Sequence, residues 1–369
     1  MNQPNRVVAI FMGTQHVPGG CEIYRITMPF YYLEQHGWKT EYVYFNDLWQ
    51  YCQKNGAHAW GKFVLDHDLF VFPRLYVPDD EARMVLRGLF ETLRLTNRRV
   101  IYETDDDYTN IHRQVVTGDA ISPAIFSDAV TVTTPLLANT MKRFTKRPVH
   151  VLPNCISPHD FCEGNAPARN PAMEGKLIIA LTGSQTHEKD WRVLERIIPR
   201  ILDEYPQAHF LTMGYTPDYL KGLSRHIVVP PAPYHTYAQI LRGCDIILAP
   251  VVPDDGFNLG KSQIKAVEGM AAQRLLPSGI SAGAAVIATR NPVYELAIKH
   301  GKTGLLTEHT SEAWYQSIKQ LLEDESLRHS LQVNGYGYVY KHLDITREWR
   351  QWARVYRKVL DAPANTLSF

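Results

Sequence analysis

Residues 256–270 read G-F-N-L-G-K-S-Q-I-K-A-V-E-G-M and set a glycine, a cation and a hydroxyl (Gly260, Lys261, Ser262) ahead of a carboxylate, Glu268. A helix starting at this point exposes unpaired N–H groups and the positive end of its dipole, which suit an anion, and Lys261 adds a full charge. On a continuous helix Glu268 falls about two turns farther along the same face, where it could accept from hydroxyls attached to that anion. A diphosphate carrying a ribose matches both ends. The nucleotide loop G-x-x-x-x-G-K-[ST] does not: Gly256 and Gly260 are one residue too close, and Phe257 and Leu259 are bulky for a loop that wraps phosphates. A capped surface helix with a solvated Lys and Glu is the alternative reading.

A second cluster is acidic. R-V-I-Y-E-T-D-D-D-Y-T-N-I-H (99–112) places Asp105, Asp106 and Asp107 at the end of an apolar run. Asp105 and Asp107 have the D-x-D spacing that can hold a divalent ion on a diphosphate. The same acids suit a helix N-terminus, as cap and dipole partners.

Short apolar runs alternating with helix-period segments must position these residues, the pattern of α/β units around a parallel sheet. Strands are expected at Val7–Met12, Thr40–Phe45, Leu69–Phe72, Val100–Glu103, Ala129–Thr133 and His150–Leu152, with helices near 22–36, 80–95 and 135–143. After the Pro- and Asn-rich stretch 163–175 the pattern restarts, with strands at Leu177–Leu181, His209–Met213, Ile227–Val229, Asp245–Leu248 and Ala285–Ala288. Two doubly wound, Rossmann-like domains are the economical reading, with ligand in the cleft that the strand C-termini face. A last helix carries Trp349, Trp352, Val355, Tyr356 and Val359 at helical spacing; it either closes the second domain or crosses back to the first.

Composition narrows the class. The chain has 369 residues, 45% hydrophobic and 21% charged, which suits a globular protein with room for two cores. A net charge of +1 provides no global pull towards nucleic acid or anionic lipid, so any such attraction is local. The five cysteines include no C-x-x-C pair, which argues against a disulfide framework or structural zinc and suits a reducing cytosol. No stretch has the length of a membrane span or a signal peptide, so a cytoplasmic protein is expected (the host cytoplasm, if phage-encoded).

The order of motifs resembles the GT-B glycosyltransferases of the large family-4 type. Y-A-Q-I-L-R-G-C-D-I-I-L-A-P (237–250), A-A-V-I-A-T (284–289) and Y-E-L-A-I-K-H-G-K-T-G-L-L (294–306) are similar to that family's "D-x-x-L-x-P", "P-V-I-A" and "G-x-x-G-x-L". Phe257, Asn258, Lys261, Ser262, Lys265 and Glu268 match F-N-x-x-K-S-x-x-K-x-x-E of one branch. L-T-G-S-Q-T-H-E-K-D (181–190) resembles the glycine loop facing the donor diphosphate, V-L-P-N-C-I-S-P-H-D-F (151–161) the interdomain "P-N-G-I-D-x-x-x-F", and V-P-G-G-C-E-I-Y-R-I-T-M-P (17–29) the first glycine loop. The resemblance implies an acceptor domain at 1–160, a nucleotide-sugar domain at 161–343 and a closing or crossing helix at 344–369. It implies a UDP-sugar or similar hexose donor, retention of anomeric configuration, and no metal or other cofactor. Donor contacts fall to Gly19, Gly20, Gly183, Ser184, Lys189, Asn258, Lys261, Ser262 and Glu268, with His187 a further candidate. Cations and helix-start amides would stabilise the leaving diphosphate, making Lys261 catalytic as well.

There are departures. The family often has a second Glu eight positions before the ribose-binding one, where this chain has Gly260; Asp254 or Asp255 is the substitute available. The segment 273–283 is longer than the usual turn and is either a flap or an insertion.

In the resembling proteins an acidic strand end contacts the transferred sugar or the acceptor, which assigns Asp105 and Asp106 to catalysis and Asp107, His112, Tyr24 and Arg25 to the acceptor. A GT-A-like, metal-dependent use of Asp105–Asp107 is the competing reading, and an inactive nucleotide-sugar-binding protein is the non-enzymatic one. Arg83, Arg87, Lys142, Arg143, Lys146 and Arg147 form basic faces that are either solvated surface or phosphate-facing, towards anionic membrane or a DNA backbone. The stretch Gly20, Cys21, Tyr24, Arg25, Ile26, Pro29 resembles glycosyltransferases common in phage and environmental viral sequences, some of which act on hydroxymethylated pyrimidines in DNA. The acceptor is therefore a saccharide or lipid-linked glycan, or modified DNA.

Overall fold

A computed structural model describes residues 5–12, 19–110, 119–162, 173 and 175–363. The chain divides into two compact units, Met1–Cys155 with Ile345–Phe369, and Ile156–Asp344. The boundary lies a few residues before 160, and the last helix belongs with the first unit.

In the first unit, strands β1 (Arg6–Phe11), β2 (Lys39–Tyr44), β3 (Leu69–Pro73), β4 (Arg99–Thr104), β5 (Ala129–Val132) and β6 (Val149–Val151) form a sheet in the order β2-β1-β3-β4-β5-β6. Every pairing is parallel. L-F-V-F-P of β3 and R-V-I-Y-E-T of β4 are buried along their whole length, as expected of central strands covered on both faces. Helix Asp80–Leu95 begins at Asp79, whose side chain accepts from the Ala82 amide at 2.8 Å, and turns Leu86, Phe90 and Leu93 inward. Phe90 meets Phe72 of β3 with ring centroids 5.1 Å apart. Burying each such side chain stabilises the unit by about 1.5–3 kcal/mol.

The last helix, Ile345–Asp361, buries its aromatic stripe within this unit. Trp349 stacks on His36 at 3.8 Å, and Tyr356 meets Trp38 edge-on at 6.2 Å.

In the second unit, β7 (Leu177–Gly183), β8 (Ala208–Gly214), β9 (His226–Val229) and β10 (Ile246–Ala249) are followed by a short antiparallel pair, β11 (Arg274–Leu275) with β12 (Ser281–Ala282). Strands β13 (Ala285–Thr289) and β14 (Leu305–Thr307) complete a parallel sheet ordered β14-β13-β10-β7-β8-β9. Trp191, Trp314 and Ile287 lie in its core. The 273–283 segment is thus a hairpin, with Gly279 at φ 78° supplying the turn. Strand β14 is too short to stand out in the sequence, and only pairing with Ile287–Thr289 reveals it.

The helix expected to start at Gly260 is two helices. Gly256–Gly260 ends where the expectation began, and a new helix runs Ile264–Ala271 from an N-cap at Gln263. Lys261 and Ser262 therefore lie in the connection, and Glu268 lies about one turn into the second helix rather than two turns along a shared one. No helix among the described residues is long and apolar enough to cross a membrane.

Candidate functional site

In the second unit the parallel topology brings the C-terminal ends of β7, β10 and β13 to one edge, where the connections 184–191, 250–263 and 290–293 leave the sheet. Gly183 at the end of β7 has no room for a side chain: a Cβ there would sit 3.1 Å from His187 and from Trp191. Its neighbour in register, Gly214 (φ 92°), would drive a Cβ to 2.4 Å from the Gly183 carbonyl. The two glycines let β7 and β8 end in close contact and set the course of the loop that follows.

Asp190 anchors that loop. It is wholly buried, and its carboxylate accepts from Nδ1 of His187 (3.0 Å), the Val252 amide (3.0 Å) and Nδ2 of Asn258 (2.8 Å). Burial pushes this carboxyl up, but the His187 and Val252 bonds and the charge of Lys261 outweigh it and hold the group below the usual carboxylate range. His187 shifts down through burial, opposed by Asp190 and reinforced by Lys261 and Lys265. Two cations therefore act on one imidazole at this edge.

Asn258, expected to meet the donor, is buried, and its amide also donates to the Val252 carbonyl at 3.1 Å. It holds the connection after β10 in place. Asp255 caps the short helix by accepting from the Phe257 amide (3.0 Å) and lies 3.4 Å from Nζ of Lys189, whose side chain is exposed. Nζ of Lys261 stands 4.9 Å from the Phe257 ring centroid. Ser184 is exposed and bonds Thr186 at 2.8 Å, while Ser262 is half-buried.

Glu268 is a second buried acid at this edge. Its Oε2 accepts from the Tyr237 hydroxyl at 2.6 Å and lies 3.4 Å from Nζ of Lys265. The Tyr237 hydroxyl is also 3.1 Å from Oγ1 of Thr182 on β7, and Lys265 stands 5.4 Å from the Tyr237 ring centroid. Burial, then Glu268, pushes the Tyr237 phenol up, so it stays a hydrogen-bond donor. Sequence reasoning assigned no role to Tyr237 or Asp190. Asp190 reads as one more charge in E-K-D, and nothing in the spacing links Tyr237 to a residue two elements away.

In the first unit the acidic triplet follows β4, as expected, but Asp105 and Asp106 share one arginine while Asp107 turns away from them. Arg74, just beyond β3 with φ 53°, donates its amide to the Glu103 carbonyl (2.8 Å), and its guanidinium reaches Asp106 (2.7 Å), Asp105 (3.2 Å) and the Tyr108 hydroxyl (2.6 Å). Asp107 is buried and closes the next turn, accepting from the Thr109 amide (3.0 Å) and Asn110 Nδ2 (2.6 Å). Asp105 and Asp107 are thus not one ligand set. Among the described residues no group of three or more His, Cys, Asp or Glu is placed to hold a metal ion. Burial and Asp105 both push the Cys21 thiol up, which places Cys21 beside this cluster, another neighbour that sequence spacing did not show.

Tyr24 and Arg25 are corrections. Both are buried in a π-helical turn, Ile23–Thr27. Arg25 donates to Glu103 (2.7 Å), the Leu152 carbonyl and Asn154 (3.0 Å), with Trp352 5.8 Å from its guanidinium. It organises the core and is not presented to an acceptor. Gly19 and Gly20 are exposed at the first helix start, in the first unit and not among the second-unit residues with which they were grouped; the Gly19 amide donates to Glu22 at 2.7 Å. His112 lies outside the described residues. Arg83 and Arg87 are engaged by Asp80, Asp119 and Glu91, so the basic face of that helix is largely neutralised.

Comparison with known proteins agrees with this architecture. Residues 176–324 match the family described as "Glycosyl transferases group 1". Sucrose-phosphate synthase from Thermosynechococcus elongatus is 15% identical over 97% of this chain and 100% of its own, with a TM-score of 0.69. A glycosyltransferase from Rickettsia africae is 15% identical over 98% of this chain and 100% of its own (TM-score 0.67). HepE from Anabaena, solved with UDP and glucose, is 15% identical over 95% of this chain and 99% of its own (TM-score 0.64). Comparison with curated proteins finds no match. The chain therefore has the GT-B architecture of two parallel-sheet units, and its second unit is similar, over residues 176–324, to the group 1 glycosyl transferases.

Proposed function

We propose that the protein transfers a hexose from a UDP-sugar to an acceptor hydroxyl without a metal ion. The observation that carries this reading is the pairing, at one sheet edge, of a buried Glu268 held by Tyr237 and Lys265 with the cations Lys261 and Lys189. A buried carboxylate is a strong acceptor for ribose hydroxyls, and cations at the same sheet edge suit a diphosphate. HepE, which has the same fold, is described in complex with UDP, UDP-glucose, and UDP with glucose.

In the proposed step the bond from the anomeric carbon to the diphosphate breaks, the acceptor oxygen bonds to that carbon, and its proton passes to the departing diphosphate, which leaves as UDP. Lys261, assisted by Lys265 and Lys189, stabilises the charge that develops on the leaving diphosphate. Retention of configuration follows from the family-4 resemblance. Asp105 and Asp106, oriented by Arg74, are assigned to the transferred sugar or the acceptor. A glycan or lipid-linked saccharide is the first acceptor class, and a hydroxymethylated pyrimidine in DNA, on the phage-type resemblance, is the second.

Calorimetric titration with UDP tests the donor half. Binding is expected in EDTA and is expected to be lost in both Glu268→Ala and Lys261→Ala. Equal UDP affinity in wild type and both variants would overturn the assignment.

A further inference from the structure

The opposite edge of the first sheet carries a surface that the transfer reaction does not use. Because β3, β4, β5 and β6 are parallel neighbours, the turns entering them share one edge, away from Asp105 and Arg74. Each of the first three turns presents an aliphatic side chain to solvent: Leu65 is 60% exposed, Leu95 89% and Ile125 44%. The fourth turn, 142–148, presents Lys142, Arg143 and Lys146 instead, and no ion pair engages these three among the described residues.

These features are joined. Nε of Arg147 donates to the Ile125 carbonyl at 3.2 Å, and Arg94, beside Leu95, is close enough to lower the Arg147 pKa after burial has done so. Behind them lies a pocket of about 210 Å³ between the sheet edge and the last helix. Its polar lining is Arg99, Lys146, Arg147, His150 and Lys358 against a single carboxylate, Asp128. That carboxylate already accepts from the Val100 amide at 2.8 Å, and Arg99 donates to the Ala362 carbonyl at 2.6 Å. Of the other acids on this edge, Asp68 is engaged by Arg98 and Asp66 by Arg6, and Asp361 at the end of the last helix is exposed on the far side of Arg99. Four cations and one acid around a small cavity make a site for a phosphate group.

We propose that this edge docks on an anionic phospholipid surface, with the pocket taking a headgroup phosphate and Leu65, Leu95 and Ile125 entering the headgroup–acyl boundary. A nucleic-acid backbone would match the cations, but it has no use for a row of exposed aliphatics beside them, whereas a bilayer interface uses both. The edge lies across the sheet from the acidic cluster, so the contact anchors the protein and does not present the acceptor.

Flotation with vesicles of phosphatidylglycerol and phosphatidylcholine, against phosphatidylcholine alone, tests this in the full chain. Binding is expected only to the anionic vesicles, to weaken with salt, and to fall roughly fivefold for each cation removed in Lys146→Ala and Lys358→Ala. Ile125→Ser is expected to weaken it further. All three positions lie at the surface, and unchanged thermal unfolding would exclude misfolding. A parallel titration with inorganic phosphate separates a free anion from a headgroup: saturable phosphate binding without vesicle binding would overturn the docking claim. So would duplex DNA binding without vesicle binding, or vesicle binding that Lys146→Ala, Lys358→Ala and Ile125→Ser leave unchanged.

Discussion

Charge is treated in opposite ways at the functional edges of the two units. After β4 the acids are closed in by protein: Arg74 engages Asp105 and Asp106, Asp107 caps its own turn, and Arg25 locks Glu103 behind them. After β7 and β10 the cations Lys189, Lys261 and Lys265 stand partly in solvent: Lys189 lies near Asp255, Lys261 faces the Phe257 ring, and Lys265 lies near both Glu268 and the Tyr237 ring. A buried pair whose partners are internal is a structural device, and removing one member leaves an orphaned charge. Partly exposed cations contribute little to stability, and the proposed donor contacts draw on their charge.

The largest effect expected from this contrast is on stability in the first unit. Arg25→Met should destabilise the protein by about 3–5 kcal/mol, seen as a lowered denaturant midpoint, because Glu103 is left buried without its partner. The double change Arg25→Met with Glu103→Met should recover most of that loss. In the second unit Lys261→Ala should leave unfolding within about 0.5 kcal/mol of wild type while donor turnover falls by roughly 10²–10³. If Lys261→Ala unfolded the protein and Arg25→Met did not, the contrast would be reversed.

Two smaller effects sharpen it. Tyr237→Phe removes a hydrogen bond to a charged acceptor, worth about 1.5–3 kcal/mol, and should raise the donor KM by one to two orders of magnitude with little change in kcat. The smallest is a pH effect at His187. Its pKa is lowered by burial and by Lys261 and Lys265, against Asp190, so it is neutral in the free protein near pH 7. In the unfolded chain it protonates near 6.5, so it contributes stability that is lost as pH falls below that value. A bound diphosphate would raise its pKa again, so UDP binding should take up a proton and tighten a few-fold from pH 8 to pH 6. Calorimetry in buffers of different ionisation heat measures that uptake, and His187→Asn should abolish it.

Much of this was legible in the sequence, for physical reasons. Strands such as L-F-V-F-P and A-V-I-A-T are apolar throughout because both faces are covered, so they stand out without an alignment. Lys265 and Glu268 were visible together as two positions of one motif, and the structure pairs them at i,i+3 on one helix. Arg25 was misjudged because a cation near the end of a glycine loop reads as a ligand contact, while its partners Glu103, Leu152 and Asn154 are remote in the chain. The break at Lys261–Gln263 was hidden because no proline or helix-ending glycine after Ser262 marks it. Asp190 and Tyr237 act through contacts across separate elements, which only the register of β7, β10 and β13 brings together.

The central claim is that the second-unit edge binds a nucleotide sugar and expels its diphosphate without a metal. Chromatographic release of nucleotide from UDP-, GDP-, ADP- and TDP-sugars, in EDTA and in manganese, with and without DNA containing hydroxymethylcytosine, tests it most directly. UDP release that persists in EDTA and disappears in Lys261→Ala and Glu268→Ala is the predicted result, and stimulation by that DNA would select the second acceptor class. Release that requires manganese and is lost in Asp105→Asn but kept in Lys261→Ala would contradict the account and move the chemistry to the acidic edge of the first unit.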